Sequence, residues 1–108
     1  MGKFVITTRK SGEFQFNLKA NNGLVILTSE GYATKAACLS GIESVKKNAT
    51  IATRFEEKVA KNGKPFFNLK ASNGQIIGAS QMYSSLTTMK AGITSVQKNA
   101  PEASVVED

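Results

Sequence analysis

A chain of 108 residues, 41% hydrophobic and 20% charged, is long enough for one well-packed domain and has neither the apolar excess of a membrane protein nor the charge excess of a disordered one. Fourteen Lys and Arg against eight Asp and Glu give a net charge of +6, with no basic run longer than two residues; such dispersed charge favours loose contact with anions and is no mark of specific recognition. With no histidine and a single cysteine, the chain lacks the residues for a zinc or iron site or an internal disulfide.

No apolar run approaches the ~18 residues of a membrane span, and the start Met-Gly-Lys-Phe-Val-Ile lacks a signal-peptide layout. The expectation is a soluble cytoplasmic protein with no membrane contact and no cofactor. Cys38 stands among apolar residues of an expected helix and reads as a small buried hydrophobe rather than a reactive thiol.

The dominant feature is a duplication. Phe16-Asn17-Leu18-Lys19-Ala20, one residue, then Asn22-Gly23 returns 51 residues later as Phe67-Asn68-Leu69-Lys70-Ala71, one residue, then Asn73-Gly74. Aligned without gaps, residues 3–49 and 54–100 share 20 identities over 47 positions. The expected organisation is one domain, residues 1–108, made of repeat 1 (3–53) and repeat 2 (54–106).

Each copy opens on a short β-rich segment, residues 4–8 or 55–59. A turn follows, Lys10-Ser11-Gly12-Glu13 or Lys61-Asn62-Gly63-Lys64, in which Asn-Gly tolerates positive φ. In the signature strand Phe14, Phe16, Leu18 and Ala20 alternate with Gln15, Asn17 and Lys19, the period of a half-buried antiparallel strand. Its twin turns Phe67, Leu69 and Ala71 inward and Phe66, Asn68 and Lys70 outward, with Pro65 at the start, where a missing N–H does least harm. A second turn at Asn22-Gly23 or Asn73-Gly74 leads to a third strand, residues 24–29 or 75–80, whose Leu-Val-Ile-Leu run does not assign its faces.

The period then changes to 3.6. Thr34 and Ser84 or Ser85 are candidate N-caps, and Ala37, Cys38, Gly41, Ile42 and Val45 form one stripe, as do Leu86, Met89, Gly92, Ile93 and Val96. Glu43 can pair with Lys46 or Lys47, and Asn48 and Asn99 suit left-handed C-caps. Gly41 and Gly92 each cost a helix about 1 kcal/mol, which points to a close contact. Residues 50–53 and 103–106 add a β-like piece after each helix. The unit is β-β-β-α-β, and about 50 residues is too little core to stand alone, so the twin should cover it as in an internal homodimer. The chain is therefore expected to be a monomer.

Phe-x-Phe-Asn-Leu-Lys-Ala-x-Asn-Gly, the segment from Ser29 to Tyr32 and Gly-Ile-x-Ser-Val-x-Lys-Asn-Ala resemble the YegP-like family of small bacterial proteins, over both copies. The resemblance implies an α+β fold: tandem β3-α-β repeats forming a pseudo-two-fold antiparallel sheet, two helices on one face, and C-terminal strands exchanged between repeats. It brings no activity and no catalytic residues.

The residues themselves offer no catalytic constellation. A nucleophile would have to find a base other than histidine, no phosphate-binding glycine loop is present, and Glu56 and Glu57, adjacent on a strand, point to opposite faces. If helices cover the Phe16 and Leu18 face, the other presents Asn17, Lys19, Asn68 and Lys70, with Phe66 beside them. Lys meets phosphate oxygens, Asn reaches base edges and Phe stacks, so an anionic ligand or single-stranded nucleic acid is the expected partner class. The competing readings are an ordinary solvated face, a structural or protein-interaction module with no small ligand, and, more remote, an enzyme lacking any recognisable motif.

Overall fold

The computed structural model describes residues 2–107 and shows a seven-stranded sheet with two helices packed on one face. In chain order these are β1 (Lys3–Thr8), β2 (Phe14–Lys19), β3 (Val25–Thr28), α1 (Lys35–Asn48), β4 (Phe55–Val59), β5 (Pro65–Lys70), β6 (Ile76–Ala79), α2 (Leu86–Asn99) and β7 (Ser104–Glu107). Across the sheet they lie β4-β5-β6-β3-β2-β1-β7. Two antiparallel meanders meet at the β3–β6 seam, where Thr28 faces Ala79. The last strand crosses to the first meander and runs parallel to β1.

All four hairpin turns share one geometry. In the first of the three Asn-Gly turns, Ala20 N–H donates to the Leu24 carbonyl and Gly23 N–H to the Ala20 carbonyl. Only the glycine has positive φ, 84°, so this is a three-residue loop closed by a left-handed glycine, and the asparagine keeps negative φ. Asn22 contributes through its side chain instead, Oδ1 accepting from Leu24 N–H at 3.1 Å.

The ambiguous third strand is resolved by a bulge. Leu18 faces Leu27, but Lys19 faces Val25, so Ile26 is the extra residue and both Ile26 and Leu27 are buried. A strand with one residue too many cannot alternate, which is why its sequence does not.

The helices begin as the sequence implies. Thr34 Oγ1 accepts from Ala37 N–H, and Ser85 forms a reciprocal cap with Thr88. They end differently from the expected left-handed caps: Ala49 and Ala100 are right-handed, and Asn48 and Asn99 turn back to donate to the Ser44 and Ser95 carbonyls at 2.8 Å. Buried Asn48 thus satisfies its own amide inside the helix. Glu43 forms no ion pair with Lys46 or Lys47 among the described residues.

One core serves both repeats. Phe4, Phe16, Leu18, Leu27, Ile42 and Val45 from the first join Phe67, Leu69, Met89 and Val96 from the second, all wholly buried. Cys38 belongs to this core, as expected, and burial pushes its thiol pKa up. Aromatic packing is duplicated too: Phe4 meets Phe16 edge-on at 5.7 Å and Phe55 meets Phe67 at the same distance.

The α+β fold with an exchanged C-terminal strand therefore holds, with one difference between the copies. Residues 103–106 lead into β7, but their counterparts 50–53 are not a strand. They carry the chain from α1 through one turn of 3-10 helix at Ala52–Arg54 straight into β4. A single chain must connect its two halves, and that connection uses up the piece that would otherwise have been exchanged.

Candidate anion-binding face of the sheet

The uncovered face is built from every second residue of the strands. Register places Val106, Val5, Asn17, Thr28, Ala79, Asn68 and Glu56 in one row across all seven strands. Asn17 and Asn68 stand in that row three strands apart, roughly 14 Å at normal strand spacing. Lys19 and Lys70 lie two residues further along β2 and β5. Those strands run in opposite directions, so the two lysines diverge to opposite ends of the face. Between them runs a shallow groove of about 470 Å³, lined by apolar Val25, Ile76 and Ala79 and by polar Thr28, Glu30 and Gln81, among others. The four expected side chains therefore form two half-sites, not one.

The half-sites differ. In the second repeat, Glu56 lies between Asn68 and Lys70: Lys70 Nζ donates to its Oε2 at 2.9 Å and Asn68 Nδ2 to its Oε1 at 3.5 Å. The Lys70 hydrogen bond outweighs the opposing effect of burial and, with smaller help from the Asn68 hydrogen bond and the charges of Lys70 and Lys58, holds the Glu56 carboxyl below its ordinary range. Asn68 is only 7% exposed. Phe66 is half-buried and stands opposite Lys58 on the same face.

In the first repeat the residue at the Glu56 position is Val5. Lys19 has no carboxylate partner there and stands directly opposite Lys3 in the β1–β2 ladder. The ion pairs among the described residues are Arg9–Glu13, Lys35–Glu107 and Lys70–Glu56, so neither Lys3 nor Lys19 has one. Like charges facing each other across strands, with Cβ atoms about 5 Å apart, are unfavourable unless something neutralises them. Beside them is a groove of about 400 Å³ lined by Lys3, Val5, Lys19, Asn21, Gly23, Val106 and Glu107, the last with its carboxylate engaged by Lys35. Asn17 holds its place through Thr28, whose hydroxyl donates to Oδ1 at 2.8 Å.

Lys3 escaped the sequence reading because it stands outside the repeated signature. The signal was present in the alignment of the copies, where Lys3 matches Arg54 but Val5 matches Glu56. Tyr32 and Tyr83 pack against the helices at the bases of Gly41 and Gly92, away from this face.

A family described as a domain of unknown function, DUF1508, matches residues 10–56 and again 60–107. The chain belongs to the DUF1508 family. It is 54% identical over 106 residues to the UPF0339 protein in the ptx operon 5′ region of Stutzerimonas stutzeri, covering 98% of this chain and 96% of that one. The solution structure of the UPF0339 protein SO3888 of Shewanella oneidensis superposes with a TM-score of 0.93 at 48% identity, over 98% of this chain and 90% of that one. The solution structure of yegP of E. coli gives 0.94 at 45% identity, over 99% and 92%. These DUF1508 relatives bear out the resemblance and the two-repeat fold, and their names assign no reaction or ligand.

Proposed function

We propose that the chain is a non-enzymatic, monomeric binding module that takes a compact anion, a carboxylate or phosphate group, between Lys3 and Lys19. The observation that carries this reading is the pair of facing, uncompensated lysines beside a groove, at the place where the second repeat keeps its lysine neutralised by Glu56. An anion there relieves the repulsion and gains two charge-assisted hydrogen bonds. Asn17 is the neighbouring polar group in the row. A long single strand of nucleic acid fits less well, because Phe66 lies across the β3–β6 seam from Lys19, Glu30 lines the groove between them, and Lys70 is already occupied. For the non-enzymatic part, the support is the absence of histidine and of any nucleophile–base motif in the sequence. No helix among the described residues is long and apolar enough to cross a membrane.

Titration with inorganic phosphate, acetate and a short single-stranded oligonucleotide at two salt concentrations tests the proposal. Expected are shifts centred on Lys3, Asn17 and Lys19, lost in Lys19→Ala, kept in Lys70→Ala, and weaker at high salt. Equal loss in both variants, or no shift at low salt, overturns it. The protein-interaction reading has its own support in a different place, the outer edge of β4.

A further inference from the structure

The two edges of the sheet are related by the internal two-fold yet are finished differently. Beside β1 lies β7, with Ser104, Val105, Val106 and Glu107 opposite Lys3, Phe4, Val5 and Ile6. β4, the twin of β1, has β5 as its only neighbour among the described residues, because residues 50–53 turn into it instead of adding to the sheet. One row of backbone N–H and C=O groups is thus open on β4, and an open strand is a template for another.

The surroundings of that edge have changed in step. Thr8, Gly31 and Lys35 near the closed edge correspond to Val59, Met82 and Leu86 near the open one, which are 67%, 54% and 57% exposed. Charge is inverted as well. At the closed edge Glu107 lies opposite Ile6 and pairs with Lys35. At the open edge Ile6 becomes Glu57 and Lys35 becomes Leu86. Glu57 is exposed and has no ion pair among the described residues.

We infer that β4 accepts an extended segment of a partner protein, parallel to it, with an apolar residue beside Phe55 and a lysine or arginine beside Glu57. The apolar residue takes the place Val105 holds at the other edge. The basic residue takes the place of Glu107, laying its stem on Leu86 and its charge on Glu57. A second copy of this chain is a poor occupant. An antiparallel β4–β4 pair about a two-fold centred on Glu56, Glu57 or Lys58 sets that charge against its own copy, which is unfavourable, and only the Glu57-centred register sets Glu56 opposite Lys58 in return. The Glu57 charge that opposes its own copy in that register favours a basic residue on an incoming strand. This edge lies at the far end of the sheet from Lys3 and Lys19, so the inference stands independently of the anion site.

The test is an NMR titration of the full chain with an eight-residue peptide of alternating threonine and valine, carrying one arginine two residues after its central valine. Expected are shifts confined to β4 and the start of α2, with slower exchange of the outward β4 amides. The same peptide with glutamate for arginine should bind about tenfold weaker, and Glu57→Lys, an exposed change, should reverse the order of the two peptides. Absence of shifts on β4 at millimolar peptide, or equal binding of both peptides, overturns the inference. So does concentration-dependent protection of β4 in the chain alone, which would assign the edge to a second copy.

Discussion

At the scale of single residues, two contacts can be tested directly. Gly41 and Gly92 sit in mid-helix because a tyrosine occupies the space of their missing side chain. A β-carbon on Gly41 would lie 2.7 Å from Tyr32 Cζ and closer still to its hydroxyl, with Phe16 Cε2 at 3.2 Å. Alanine gains about 1 kcal/mol in helix propensity, but overpacking a filled site costs about 1–3 kcal/mol. Gly41→Ala should therefore lower stability in urea denaturation, and adding Tyr32→Phe should restore part of the loss. The second contact is Glu56 with Lys70. Its carboxyl pKa is depressed in the folded chain, so its stabilisation is present above the ordinary carboxylate range and disappears as pH falls through the lowered folded value. Lys70→Ala should raise the Glu56 midpoint followed by carboxyl-carbon NMR and narrow the stability gap to wild type at acid pH. The helical glycines were legible as close contacts from their cost alone. Glu56 was visible only as half of a pair without chemistry, since what matters is Val5 at the matching place, and that becomes meaningful once register puts both beside a lysine.

At the scale of elements, alternation and turn residues located β1, β2, β4 and β5, and the change of period located both helices. The bulges at Ile26 and its twin hid the faces of β3 and β6, because the extra residue breaks the very pattern used to read them. Residues 50–53 misled for a different reason: they match the β-like composition of the segment before β7, but chain connectivity overrides propensity. What β7 contributes follows from its contacts. Val105 and Val106 are 39% and 40% exposed, so each buries part of its side chain, worth roughly 1 kcal/mol apiece. The exposed Lys35–Glu107 pair adds about 1 kcal/mol at most. Deleting residues 104–108 should cost about 2–3 kcal/mol by chemical denaturation while leaving the helices and both meanders intact. Amides of β1 should then exchange as readily as those of β4, the edge that already lacks a parallel partner.

At the scale of the whole molecule, the question is why two copies share one chain. The seam between the meanders is thin in backbone terms, with Thr28 and Ala79 the paired residues. Side chains hold it instead. α1 lies over β2 and reaches β5 and β6, while α2 lies over β5 and reaches β3. Leu27 packs into the space left by Gly78, where a β-carbon would come within 2.8 Å of its Cδ2. Half of this arrangement would expose Leu27, Ile42 and Val45 together with a bare β3 edge, an apolar loss that a core of about 50 residues cannot offset. Residues 1–53 alone should accordingly be either unfolded or dimeric, with folding and association lost together on dilution, as light scattering and circular dichroism would show. The dimer carries a further mark. Freed from the link to β4, residues 50–53 of each copy can run parallel to β1 of the other, in the place β7 holds in the intact chain. Their amides should then be protected from exchange, although in the full-length protein they form a turn. A stable folded monomer of residues 1–53 would show that the duplication is not needed for the core, and that the second copy serves something other than its closure.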